Sequence, residues 1–134
     1  MGTMMTVAMV AAVMAGCSSD KNASTPAIEP NVMPTNYRKA MLEFLQGQLI
    51  DPVGVRDAYI TEPKLQAIGT ENRYIVCVRY NTKDSYGQYI GIRDNVAIYF
   101  NGRLNQYLPA RGDICLNAAY QRFPELETLK RPSS

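Results

Sequence analysis

The sequence of 134 residues contains no histidine and no tryptophan. Without histidine the chain lacks the usual general base, the usual proton shuttle and the commonest metal ligand. Charge is scarce at the start: no charged residue precedes Asp20, and no lysine or arginine precedes Lys21. Charge of one sign is also lacking overall. Fourteen Lys and Arg against twelve Asp and Glu give a formal net charge of +2, too balanced to suggest a nucleic-acid binder. Disorder along the whole chain is excluded by 46% apolar and 19% charged residues, near average globular usage. The length suits one domain. Cysteines number three, an odd count that needs an explanation.

What is present at the start is an apolar run. Met4 to Gly16 holds only apolar and small residues with Thr6. It is shorter than the roughly 20 residues a bilayer-spanning helix requires. A short apolar stretch ending in small residues is the pattern of a secretory signal. The alternative is a buried N-terminal helix, which five methionines without a polar face fit poorly. The ending, Met14-Ala15-Gly16-Cys17, resembles the lipobox of bacterial lipoproteins. The absence of a basic residue before it departs from that family's pattern. The resemblance implies a signal peptide over 1–16 and lipidation of Cys17 as first mature residue. It also implies a membrane partner through the lipid anchor, held firmly because two or more acyl chains are needed for stable anchoring. Ser18 after the cysteine, rather than aspartate, implies the outer membrane, facing the periplasm.

Residues 17–35 read as lipidated cysteine and flexible linker, with Pro26, Pro30, Pro34 and several Ser and Thr. A single domain is expected over 36–130. Its first element is a helix from about Asn36 to Leu49, with Thr35 or Asn36 as N-cap and Tyr37, Met41, Phe44 and Leu45 at helical spacing. Arg38 and Lys39 oppose the helix dipole in the first turn and read as a solvated face. Asp51-Pro52 ends the helix. Strands are expected at 53–60, 73–81, 95–100 and 103–108, with a turn-rich link over 62–72 and a polar loop over 82–91. On the central strand, Tyr74, Val76, Val78 and Tyr80 share one face and Ile75, Cys77 and Arg79 the other. Asn101-Gly102 is a two-residue hairpin signal, with a bulge needed to keep the faces consistent. Gly112-Asp113 is read as the cap of a short C-terminal helix over 114–122. The expected fold is α+β, an N-terminal helix packed on a small antiparallel sheet of about four strands.

With Cys17 assigned to lipid, Cys77 and Cys115 remain. An oxidising compartment favours a disulfide between them, against the alternative of two separate buried thiols. Two cysteines without histidine leave too few ligands for a metal site, and no cofactor is implied. Two segments, Asp51-Pro52-Val53-Gly54-Val55-Arg56 and Cys77 to Gly91, look like a family of small exported bacterial proteins. The match lies in a Cys-x3-Asn-x-Lys-x3-Gly-x-Tyr-x-Gly pattern carried by Cys77, Asn81, Lys83, Gly87, Tyr89 and Gly91. Arg79 and Asp84 depart from it. The resemblance implies an envelope location and a small sheet-containing domain, and no catalytic role.

The candidate binding surface is Asn81, Lys83, Asp84, Ser85, Tyr86 and Tyr89. Tyrosines give rigid amphipathic contacts at low entropic cost. Six of the nine tyrosines fall between Tyr74 and Tyr107. The competing reading is a hairpin loop whose asparagine and glycines serve backbone geometry. Catalytic residues are not expected. Carboxylates are scattered, Ser85 has no histidine, and a dyad with Lys83 is the weak remaining option. The main expectation is a non-enzymatic envelope lipoprotein that contacts an envelope protein or peptidoglycan. An inhibitor or small-ligand binder resembling lysozyme inhibitors is the alternative, and a hydrolase a third.

Overall fold

The computed structural model describes residues 29–133, together with Gly2 and Gly16. The rest of the expected signal segment and Cys17 lie outside the described residues. The elements run α1 (Tyr37–Gln48), β1 (Asp51–Ile60), β2 (Lys64–Ile68), β3 (Glu71–Lys83), β4 (Tyr89–Phe100), β5 (Arg103–Pro109), β6 (Gln121–Arg122) and α2 (Pro124–Glu127). The architecture is α+β: an antiparallel sheet, one longer helix and a short C-terminal helix. The sheet has six strands rather than about four.

β3 organises the sheet. β4 pairs along one of its edges from Ile75 to Lys83, and β5 continues beyond β4. The other edge is shared. β2 takes Glu71 to Ile75, and β1 takes Val78 to Lys83. Between them lies Thr61-Glu62-Pro63, where Pro63 has no amide hydrogen to offer a ladder. Thr61 bridges the gap. Its backbone N–H donates to the Cys77 carbonyl at 2.9 Å, and its Oγ1 accepts from the Cys77 N–H at 2.9 Å. Thr61 is the one buried polar side chain among the described residues.

Alternation on β3 sorts the core into two clusters, as its sequence predicts. Val76, Val78 and Tyr80 join Ile60, Ala97 and Tyr99 on one face, in one buried cluster with Met41, Leu45, Phe123 and Leu126. Each of the buried Val, Ile, Leu, Met and Phe side chains contributes roughly 1.5–3 kcal/mol through its burial. Ile75 and Cys77 occupy the other face with Val96, Ile98 and Cys115. Among the described residues, the segment 110–120 covers only the part of this second face around Ile75, Cys77, Val96 and Ile98. Cys77 and Cys115 are joined in a disulfide, Cα atoms 5.9 Å apart, at a sequence separation of 38.

Four local expectations change. The link over 62–72 contains β2. The loop over 82–91 shrinks to 84–88, because β3 and β4 extend into it. No helix forms over 114–122. Gly112 and Asn117 have φ of 62° and 57°, and the disulfide fixes Cys115 on the sheet, so turns replace the helix until β6. Arg38 is not merely solvated: its Nη2 donates to the Arg122 carbonyl and to Glu125 Oε2, both at 3.1 Å. This ties α1 to the C-terminal segment. Asn36 takes the N-cap position of α1, in a left-handed conformation and without a capping side-chain bond.

The Asn101–Gly102 turn has both residues at positive φ, 53° and 74°, as a type I′ hairpin requires. Phe100 pairs with Arg103 and Tyr99 with Leu104, and a bulge at Asn105 then restores the faces, since Ile98 pairs with Gln106. Residues of the expected linker reach this hairpin. The Asn101 N–H donates to the Pro30 carbonyl at 3.0 Å, Val32 packs on Gly102, and Pro34 is buried.

Two outcomes follow from this architecture. Replacing Cys77 and Cys115 with alanine should lower unfolding stability by about 4 kcal/mol, from the entropy of a loop of this length, measured by urea denaturation with and without reductant. Two reactive thiols in the native protein would contradict the bond. Alkaline pH should unfold the protein. Burial pushes the Tyr99 and Tyr120 phenols up to about 12, and raises Tyr80 and, further, Tyr107, whose hydroxyls lie 2.6 Å apart. A folded pKa above the ordinary value of about 10 leaves stability intact below pH 10 and erodes it as pH rises toward 12. Phenolate absorbance, unobscured by tryptophan, should show a late rise from the buried tyrosines that coincides with loss of circular dichroism.

Candidate functional site

Of the six candidate residues, some build the β3–β4 hairpin and some are left over from that work. Asp84 builds it. Its Oδ1 accepts from the Tyr86 N–H at 2.8 Å and the Gln88 N–H at 3.0 Å, while its backbone N–H donates to the Gln88 carbonyl. This is the local side-chain bonding that suits aspartate to turns. Asn81 builds it too, at the point where β4 carries one extra residue opposite β3. There Gly91 adopts a φ of 100° and its N–H donates to Asn81 Oδ1 at 2.9 Å. Ser85 is exposed at the tip. Tyr86 beside it is 87% exposed and has its ring free.

Tyr89 and Lys83 face one another across the ladder and meet the first motif segment. β1 is irregular here: four residues, Pro52 to Val55, stand opposite Thr82 alone, and Gly54 takes a φ of 77°. The turn carries the Gly54 carbonyl to the Tyr89 hydroxyl, which donates to it at 2.6 Å. The φ of 77° favours glycine at position 54, and a side chain there would begin 3.0 Å from Lys83 Nζ and displace it. The Arg56 guanidinium stacks 4.0 Å from the Tyr89 ring centre, and Lys83 Nζ lies 5.5 Å from it. The two segments of the sequence pattern therefore meet at one end of the sheet. Arg56 and Gly54 belong to this cluster, though sequence reasoning did not place them in the candidate surface. The signal for them was the Asp51–Arg56 segment itself.

The uncovered part of the second sheet face continues from this cluster. A shallow hollow of about 430 Å³ is lined by Asp57, Tyr59, Arg79, Ile92 and Asp94. Arg79 donates to both Asp94 oxygens, Nε to Oδ1 at 2.6 Å and Nη2 to Oδ2 at 3.1 Å, and stacks 4.3 Å from the Tyr120 ring centre. The hydrogen bonds that Arg79 donates to Asp94 raise the Arg79 pKa further, so the guanidinium stays charged throughout the physiological range. Burial raises the Tyr120 pKa most, and the Asp94 carboxylate adds to it. Asp57, at a φ of 53°, marks the bulge that opens the hollow's edge.

A larger groove of about 520 Å³ runs between the Thr61–Lys64 bend and the segment 113–121, with Ile75 and Cys77 among its lining residues. It was not legible in the sequence, because the bend and the second wall come from segments read as a link and a helix. Among the described residues no three His, Cys, Asp or Glu side chains gather as metal ligands. Among the described residues Ser85 and Lys83 are not hydrogen-bonded to each other, and the carboxylates that line the groove are Glu62 and Asp113. Compared with protein-family models, curated proteins and solved structures, the chain matches none.

Removing the turn's organiser tests this division of labour. Asp84→Ala should cost about 1–2 kcal/mol and raise amide hydrogen exchange at Tyr86 and Gln88, since two backbone donors lose their acceptor. Tyr86→Ala should leave stability within about 0.5 kcal/mol. Equal costs in a denaturation series would refute the distinction.

Proposed function

We propose that this protein is a lipid-anchored lipoprotein of the bacterial envelope, with a non-enzymatic domain that acts through protein or cell-wall contact. The observation that carries the binding reading is the uncovered part of the second sheet face. It presents stacked arginine–tyrosine pairs at Arg56–Tyr89 and Arg79–Tyr120. Such pairs are rigid, amphipathic and desolvated at modest cost, which suits recognition of a polar surface. The lipobox-like Met14 to Cys17 supports the anchored location, and the disulfide is consistent with an oxidising compartment.

A second reading draws support from the hairpin tip. Tyr86 projects on a short turn that Asp84 stiffens. A stiff loop with one exposed aromatic is the form an inhibitor uses to enter an enzyme cleft. Lysozyme-like muramidases are the class this alternative addresses.

Expression of the wild type and of Cys17→Ala, followed by membrane fractionation and intact mass, tests the anchored reading. The wild type should fractionate with membranes and carry the mass of acyl chains, and the variant should do neither. Membrane association of Cys17→Ala without any mass difference would overturn it. A muramidase assay separates the two binding readings. Inhibition that Tyr86→Ala abolishes would favour the inhibitor, and an inert protein removes that option.

A further inference from the structure

We infer that Arg56 and Lys83, set around the Tyr89 ring, form an anion-binding site for the free carboxylates of cell-wall peptides. Its location rests on the envelope reading above; its chemistry rests on geometry. Two cations share one neutral ring, and among the described residues neither has a carboxylate within 4.0 Å. The carboxylates near them are engaged elsewhere. Asp51, the ladder partner of Lys83, accepts from the Val53 N–H at 3.0 Å and lies 3.8 Å from Arg131. Asp84 serves the turn, and Asp94 is held by Arg79. Asp57 lines the adjoining hollow and makes no ion pair with Arg56. The site is also pre-formed. The Tyr89 hydroxyl is fixed to Gly54, and the Arg56 guanidinium carbon rests 4.0 Å from the centre of that held ring. A planar fork matches a carboxylate bidentately, and a nearby ammonium adds charge.

Position decides between anions. The chain enters the fold at Pro30–Val32, on the Asn101–Gly102 hairpin. The cluster sits at the other end of β4, whose twelve residues span about 40 Å at ~3.4 Å each. A lipid tether reaching the domain through residues before Glu29 thus joins the end away from the cluster. The cluster therefore lies at the far end of β4 from the tether's attachment, which leaves it accessible to the wall.

The test uses the full lipidated protein in neutral detergent micelles, sedimented with purified peptidoglycan sacculi. Wild type should pellet with sacculi. It should fail to do so with sacculi whose carboxylates have been amidated, and bind less at higher salt. Arg56→Gln with Lys83→Gln should weaken binding about tenfold or more. Arg56→Lys, which keeps the charge but loses the fork, should weaken binding less than the double glutamine variant. Arg103→Gln, at the tether end, should change nothing. Equal binding by the double glutamine variant, indifference to amidation, or no pelleting of wild type would overturn the proposal. So would loss of sacculus binding when micelles contain phosphatidylglycerol, which would assign the site to lipid phosphate. If the glutamine variant loses its disulfide or its thermal transition, the amidation arm decides, because it uses only wild type. Failure here with a positive Cys17→Ala result leaves the lipoprotein reading standing.

Discussion

Two hydrogen bonds between Thr61 and Cys77 allow one edge of β3 to serve two strands, and the rest of the sheet depends on that sharing. A proline lies two residues beyond Thr61, so the ladder has to break there. The threonine side chain supplies the acceptor that a continuous strand would have supplied from its backbone. Without it the Cys77 amide would be buried and unsatisfied, which costs about 1–3 kcal/mol. The same residue carries the disulfide on its side chain. Cys77 therefore fixes the β1–β2 bend through its backbone and the segment 110–120 through its sulfur. The groove between these two features exists because both are held to one residue.

That arrangement also explains why the second sheet face is only partly covered. The covering segment is short, starts from the end of β5, and must return to pair β6 with Tyr59 and Ile60. Anchored at Cys77, it shields Ile75, Val96 and Ile98 and stops at Tyr120, which Arg79 stacks against. Beyond that point the face carries arginine, aspartate and tyrosine, with Ile92 exposed among them. The change in composition along β3, from Ile75 and Cys77 to Arg79, Asn81 and Lys83, is the boundary between covered and open surface written into one strand.

How much of this could be read in advance depends on which interactions are local. The alternation on β3 and the Asn101–Gly102 turn are local, and both were legible. The cysteine pair was legible by elimination once Cys17 was set aside. β2 was not, because Lys64–Ile68 is half polar and its pairing partner Glu71–Ile75 extends a strand that looked complete without it. The segment 114–122 carries helix-like apolar spacing, since Ile114 and Ala118 both touch the sheet. Turns satisfy that spacing as well as a helix does, and the disulfide and the positive φ at Asn117 choose turns. The role of Arg38 was hidden for a similar reason: its partners Arg122 and Glu125 are more than eighty residues away.

The candidate surface illustrates the same limit at the level of single side chains. From sequence, Asn81, Lys83, Asp84, Ser85, Tyr86 and Tyr89 form one list of polar and aromatic groups between two glycines. In the fold the list divides according to whether each polar atom is already bonded. The Asn81 amide oxygen, the Asp84 carboxylate and the Tyr89 hydroxyl each satisfy a backbone group, and so belong to the scaffold. The Lys83 ammonium and the Tyr86 ring do not. Arg56, absent from the list, joins them because the Gly54 turn brings it onto Tyr89. A sequence pattern that couples Asp-Pro-x-Gly with Lys-x3-Gly-x-Tyr is thus first a record of how two distant segments fit together. Among the described residues, the Arg56 and Lys83 charges brought together by this fit have no carboxylate within 4.0 Å.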